Sequence, residues 1–423
     1  MTNLTNTAAA TAMLAFGAAV GAAHAQDGEP IKIGFMATLE GTYTILGEDG
    51  QRGFRLALME ANNEAGGRPI EVVTASTDAS PDSAVRAARK LVEQDQVDFI
   101  IGPLSGSEGI ALRDLAKEYP DVTFINGSSG AQEATYVDPA ENFFRYNMDG
   151  AQWGVGLGEY VVNEKDWKYV ASVAEDYSFA YTNFLGFAKE FCEAGGEIVE
   201  RFWVPLGTKD FASVIAALPD DVDAIYLGLG GGDAVNFLNQ YQQAGGDANL
   251  IGGTIMVDGT VLNSKGRAKQ ALVGTPGSGP QADDWEDEDW QAYIKAYQDA
   301  FPPEERFNSP SLVATAYYNS TNAALQCLNE IGGELSQDQS EFRACLSDIE
   351  LDAPNGLITL DENRQAIGSN FVFEVVEGEN GELTTEMVKK VDNIDQRLGM
   401  EAAAFDAMGR PSRDVPECVP GQG

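Results

Sequence analysis

The chain has 423 residues, 43% of them hydrophobic, and a formal net charge of −39 from 66 acidic and 27 basic side chains. That length allows more than one domain, and that charge argues against nucleic acid or an anionic membrane surface as a partner. The single histidine, His24, lies in an N-terminal segment expected to be removed, so the mature chain has no Ser-His-Asp or Cys-His chemistry and no histidine-ligated metal.

Ala8 to Ala23 is small and apolar, and Ala23-His24-Ala25 fits a small-x-small cleavage site. Residues 1–25 are therefore expected to be a signal peptide cut before Gln26, although no Lys or Arg precedes the apolar stretch. No run of 18 apolar residues follows that segment. Export places the protein in the periplasm, where disulfides persist. Four cysteines allow three pairings. The local pair Cys327–Cys345 is favoured, which leaves Cys192–Cys418 to pin the C-terminal tail.

Ile31–Met36 alternates like a strand, and a glycine-bearing loop, Leu39–Gly47, follows. Phe54, Ala57, Leu58 and Ala61 have helical spacing, and Gly66-Gly67 stops that helix. Pro69–Ala75 is the next strand. Ser80-Pro81 then caps a helix whose buried stripe is Ala84, Val85, Ala88, Leu91 and Val92. Two strand–loop–helix units follow, with loops Gly102–Gly109 and Asn126–Gly130. Such Ser/Gly loops direct backbone N–H groups and hydroxyls into one crevice, as a small anion such as a carboxylate requires. The plainer alternative is that they merely cap helices.

After Tyr146 the rhythm restarts. Strands are expected at 169–174, 197–204, 224–229 and 250–255, and helices at 150–163, 179–194, 211–218 and 233–244. Alternation of this kind predicts an α/β fold with parallel sheets covered by helices. Thr275–Pro280 is turn-rich and marks a crossing between lobes. Helical patterns return at 290–300 and 311–331, and late strands at 356–361 and 370–376.

Gly228-Leu229-Gly230-Gly231-Gly232-Asp233 follows a strand but fails the dinucleotide fingerprint, because Asp233 stands where the third glycine belongs. No Walker A sequence occurs, and the cysteine spacings match no zinc site, so neither cofactor nor metal is expected. Tyr177 and Phe179 sit at a strand-to-helix turn and suit a wall for an apolar or aromatic ligand, or plain core packing.

In order and spacing, several segments from Ile31 to about Val376 resemble the branched-chain amino-acid-binding group of type I periplasmic binding proteins, the solute receptors of ABC importers. They are the opening strand with its Gly41–Gly47 loop, Asn62–Gly67, Ile101-Gly102-Pro103, Asp176-Tyr177, the 223–228 strand, and Pro354–Gly356 with Asp361–Asn363. The resemblance implies two doubly wound parallel-sheet lobes joined by three hinge crossings. Lobe 1 would hold residues 26–148 and 277–369, lobe 2 residues 149–276 and 370–392, with an irregular tail at 393–423.

By the same resemblance, Ser105, Gly106, Ser107, Ser128, Ser129 and Gly130 hold a ligand carboxylate, and Leu46, Tyr177, Phe179 and the Gly230 loop form side walls. The acidic position that receives an ammonium in the amino-acid binders falls at Thr254, with Asp258 nearby as a substitute. The expected activity is capture of a small organic carboxylate, either an amino acid or an aromatic or other acid. A monomer would then deliver it to a membrane permease, with no catalytic residues. The alternatives are a secreted hydrolase using two carboxylates, or a ligand-binding sensor module.

Overall fold

The computed structural model describes Met1 and residues 28–378 and 380–418, so the expected signal peptide lies outside the described residues. Its strands are β1 (Ile31–Thr38), β2 (Glu64–Ala65), β3 (Arg68–Thr77), β4 (Phe99–Ile101), β5 (Thr123–Ile125) and β6 (Phe143–Phe144), then β7 (Tyr169–Glu175), β8 (Glu197–Val204), β9 (Ala224–Gly228), β10 (Asn249–Gly252) and β11 (Pro276–Gly279), and finally β12 (Leu351–Ala353), β13 (Gly356–Leu360), β14 (Ala366–Glu377) and β15 (Leu383–Ile394).

Two sheets form. The first has the order β2-β3-β1-β4-β5-β6 and is parallel except at β2. The second runs β12-β13-β14-β11-β10-β9-β7-β8, with β15 beside β14. Strands β7 to β11 are parallel within it, and β14 runs antiparallel to β11. Chain order reverses between β1 and β4 in the first sheet and between β7 and β9 in the second. Loops at such reversal points diverge and leave a crevice at the carboxyl ends of the strands. In this molecule the two crevices face each other.

Local chemistry accounts for most element boundaries. Ser80 accepts a hydrogen bond from the Ser83 amide and starts the helix Pro81–Glu93, whose Ala84, Ala88 and Leu91 are fully buried while Val85 and Val92 pack at the edge. The helix expected at 150–163 is broken in two, Gly150–Gly154 and Leu157–Asn163, because Gly156 takes φ 91°. The loop expected through Gly47 ends earlier: a short turn, Gly41–Tyr43, leads into a helix at Thr44–Glu60. Two further sequence-based expectations change. The 250–255 strand ends at Gly252, and the turn-rich 275–280 stretch holds β11, hydrogen-bonded on both sides.

After β11 the chain returns to the first lobe, where helix Leu312–Glu330 packs along Thr44–Glu60. Disulfides join Cys327 to Cys345 and Cys192 to Cys418. The C-terminal stretch is more ordered than expected and carries a helix, Ala402–Met408. Phe405 packs on Tyr136 of the first lobe, and Arg413 then pairs with Asp176 of the second. Among the described residues, no helix is long and apolar enough to cross a membrane.

Candidate ligand site between the lobes

The lobes are closed on each other. Tyr43, after β1, donates its hydroxyl to Glu175 at the end of β7 and lies 2.8 Å from the Tyr177 hydroxyl. Thr42 donates to Asp233 at 2.9 Å, and Ser107 and Ser178 hydroxyls approach to 3.2 Å. The Leu312 amide donates to Asp258 at 3.0 Å. These contacts enclose a narrow cavity.

From the first lobe its walls are Tyr43, Leu46, Leu104, Leu312 and Val313, with Ser105, Gly106, Ser128 and Gly130. Trp153, Tyr177, Phe179 and Ile255 close it from the other side. Phe179 sits directly against both Ser/Gly loops. A Cβ on Gly106 would lie 2.9 Å from the Phe179 Cβ, and one on Gly130 would lie 2.8 Å from the Phe179 ring. Both are closer than real Cβ contacts come, so glycine at these two positions is what lets the ring seat.

The two loops are built differently. Ser105 ends the turn after β4 and caps helix Gly106–Ala116 in a capping box with Glu108. Its hydroxyl donates to the Ala79 carbonyl at 2.9 Å and accepts from the Glu108 amide at 3.4 Å. The Glu108 carboxylate accepts from the Ser105 amide at 3.0 Å and from Thr38 at 3.2 Å, and its burial raises its pKa.

The loop after β5 is held by its carbonyls. Asn126 Nδ2, Asn147 Nδ2 and Arg145 Nη1 all donate to the Ser129 carbonyl, at 3.0, 3.2 and 3.3 Å. Arg145 also donates to the Ala131 carbonyl at 2.6 Å. Burial pulls that guanidinium down to about 10, which leaves it charged at neutral pH. The Ser128 amide donates to the Pro103 carbonyl at 3.0 Å and so ties the two loops together. The Ser128 hydroxyl is buried in the cavity wall and has no partner among the described residues.

Of the residues singled out from sequence, Leu46, Ser105, Gly106, Ser128, Gly130, Tyr177 and Phe179 converge on this cavity. Five do not line it. Ser107 bridges the lobes at the rim. The Ser129 hydroxyl is packed against Gly109, where a Cβ would meet it at 1.9 Å. Gly230 donates its amide to Glu175 at 3.1 Å behind the wall. Thr254 is buried and its hydroxyl accepts from Asn183 at 2.9 Å. Asp258 caps helix Gly259–Leu262 and holds the Leu312 amide, and its burial raises it to about 7. With Thr254 it lines a neighbouring small cavity instead.

Sequence reasoning missed Tyr43, Leu104, Trp153, Ile255, Leu312, Val313 and the buried Glu175. Burial pushes the Glu175 carboxyl up to about 8, against the lowering effect of the Tyr43 hydroxyl, so it is largely protonated at neutral pH. A buried aromatic in the short Gly150–Gly154 helix was a usable signal for Trp153. Leu312 and Val313 carried none, since they reach the cavity from a helix far along the chain. Among the described residues, no group of three or more His, Cys, Asp or Glu is placed to hold a metal ion.

Residues 30–381 match the family model described as periplasmic binding protein. A Leu/Ile/Val-binding protein homologue of Brucella melitensis is 22% identical over 379 residues, covering 88% of this chain and 94% of that protein. Among solved structures, a solute-binding protein of an ABC transporter from Rhodopseudomonas palustris, in complex with 3,4-dihydroxybenzoic acid, superposes with a TM-score of 0.78 at 24% identity, over 87% of this chain and 98% of that one. A leucine-binding protein from Thermotoga maritima gives 0.74 at 19% identity, over 86% and 99%. The sheet order, the facing crevices and the match across most of the chain agree: this chain belongs to the type I periplasmic binding protein family.

Proposed function

We propose that the protein is a periplasmic solute receptor that captures a small aromatic carboxylate between its lobes and presents it, as a monomer, to an ABC permease. One observation carries the choice of ligand. The cavity is walled by Tyr43, Trp153, Tyr177 and Phe179, has the unpartnered Ser128 hydroxyl in its wall, and among its described lining residues has no Asp or Glu. A carboxylate laid against Ser128 and the first-turn amides beside Gly106 gains charge-assisted hydrogen bonds, and a ring gains aromatic faces.

An α-amino acid brings an ammonium as well, and burying it without an anion is costly. Glu175 is neutral and lies behind the two tyrosines, Asp258 holds the Leu312 amide, and Thr254 carries no charge. The similar structures include receptors in complex with benzoate and with 4-hydroxybenzoate, and one in complex with isoleucine, so the fold admits both ligand classes.

Ligand drives closure only through contacts it makes better in the closed form, and Phe179 and Trp153 provide these from the second lobe. The reaction is binding alone, with no bond made or broken.

Titration calorimetry and thermal melting of the mature protein with benzoate, para-hydroxybenzoate, leucine and isoleucine test the reading. Aromatic acids are expected to bind and to raise the melting temperature. Stabilisation by leucine or isoleucine, with none by the aromatic acids, would overturn it.

A further inference from the structure

The cleft cavity shares two wall residues, Trp153 and Leu312, with a second cavity on the hinge side. The second is bounded by Tyr146, Met148 and Gly368 near the crossings and by Thr315, Ala316 and Asn319 of helix Leu312–Glu330. The two are of similar size and both are tight, each with about 20 Å3 open to a water-sized molecule.

Trp153 is hydrogen-bonded through its main chain, while its buried indole is held by packing alone. Its carbonyl accepts from Ser278 at 2.7 Å and from Asn370 at 3.0 Å. The indole lies edge-on to Phe179 at 5.9 Å, and its buried Nε1–H has no partner. No hydrogen bond therefore opposes a change of rotamer or a smaller side chain at this position.

The hinge-side cavity carries a polar feature of its own. Asn319 is 2% exposed and donates Nδ2 to Asn355 Oδ1 at 3.0 Å. Asn355 in turn donates to the Pro280 carbonyl at 3.1 Å, which fixes the orientation of both amides. Asn319 Oδ1 is left as a buried acceptor with no donor. Its complement is a hydroxyl.

We propose that Trp153 is the partition that sets ligand length. With the indole in place, the site takes acids whose carboxylate sits directly on one ring. With it displaced or shortened, the cavities join and admit a longer aryl acid whose distal hydroxyl donates to Asn319 Oδ1. Two added carbons lengthen an extended acid by about 2.5 Å, toward the hinge-side cavity. The inference rests on the aromatic-carboxylate reading above.

The test measures affinities of para-hydroxybenzoate, para-hydroxyphenylpropionate and unsubstituted phenylpropionate for the native protein and for Trp153→Ala. The native protein is expected to favour the short acid by roughly tenfold or more, the usual worth of a misplaced methylene or two, and Trp153→Ala to reverse that preference. Adding Asn319→Ala to Trp153→Ala is expected to erase the advantage of the hydroxylated long acid over the unsubstituted one. Trp153→Leu, which keeps more apolar volume, carries the same comparison if the alanine variant does not fold.

A length preference unchanged in a folded variant overturns the partition while leaving the aromatic reading intact. A native protein that binds none of these acids but does bind leucine overturns both.

Discussion

The two Ser/Gly loops of the first lobe are close to interchangeable as sequence and opposite as structure. In the loop after β4 the Ser105 hydroxyl is consumed, donating a hydrogen bond to the Ala79 carbonyl and accepting one from the Glu108 amide. In the loop after β5 the carbonyls are consumed, by Asn126, Asn147 and Arg145, and the Ser128 hydroxyl is left buried without a partner. The difference shows where a binding group comes from. A hydroxyl is available to a ligand when neighbouring groups hold its loop by other atoms. The capping serine holds the scaffold, and the unpartnered one lies in the cavity wall.

The largest expected effect belongs to the buried layer behind the wall opposite both loops and provides the contrast for them. Glu175 is raised to about 8, so between its unfolded value near 4.5 and that pH the folded protein binds more protons than the unfolded chain. Its contribution is therefore full at acid pH, falls as pH rises through this window, and is constant above about 8; the span is on the order of a few kcal/mol. Glu175→Gln keeps a neutral hydrogen-bonding group beside Tyr43. Chemical denaturation of the two proteins from pH 5 to 8 should show the native one losing stability relative to the variant. Parallel curves would mean that Glu175 is ionised when folded.

Next in size is Ser128→Ala. Loss of a charge-assisted hydrogen bond to a carboxylate is worth about 1.5–3 kcal/mol, roughly a 10- to 100-fold loss of affinity by calorimetry. Because that hydroxyl makes no bond in the unliganded fold, the melting temperature of the free protein should hardly change. An unchanged affinity would remove Ser128 from the site and collapse the comparison.

Ser105→Ala should behave in the reverse way, with stability falling by about 1 kcal/mol through loss of the cap and affinity falling less than in Ser128→Ala. Equal affinity losses for the two serines would show that both loops serve the ligand.

Much of the scaffold was legible in the sequence because its causes lie within a few residues of their effects. The Ser80-Pro81 cap and the end-to-end match of Glu197–Val204 rest on local patterning. The favoured disulfide partners are those observed, and Cys327–Cys345 spans only 18 residues. Misreadings came where local rules were overridden. Pro276–Gly279 has turn composition but becomes a central strand, because both neighbours supply a ladder. The tail beyond 393 was expected to be irregular, yet Phe405 has a docking surface at Tyr136 and forms a short helix upon it.

The sequence by itself thus determined the α/β alternation, the family, the caps and the lack of any histidine after His24, since these depend on composition and short spacings. Only the tertiary structure decided that the Ser128 hydroxyl lines the cavity while Ser105 caps a helix and the Ser129 hydroxyl packs against Gly109. It alone placed Leu312 beside Trp153 and buried Glu175 behind a tyrosine 132 residues away. Hydrogen-bond partners and desolvation are properties of what folding brings near. A hydroxyl or carboxyl carries no local mark of whether its partner will arrive from across the cleft.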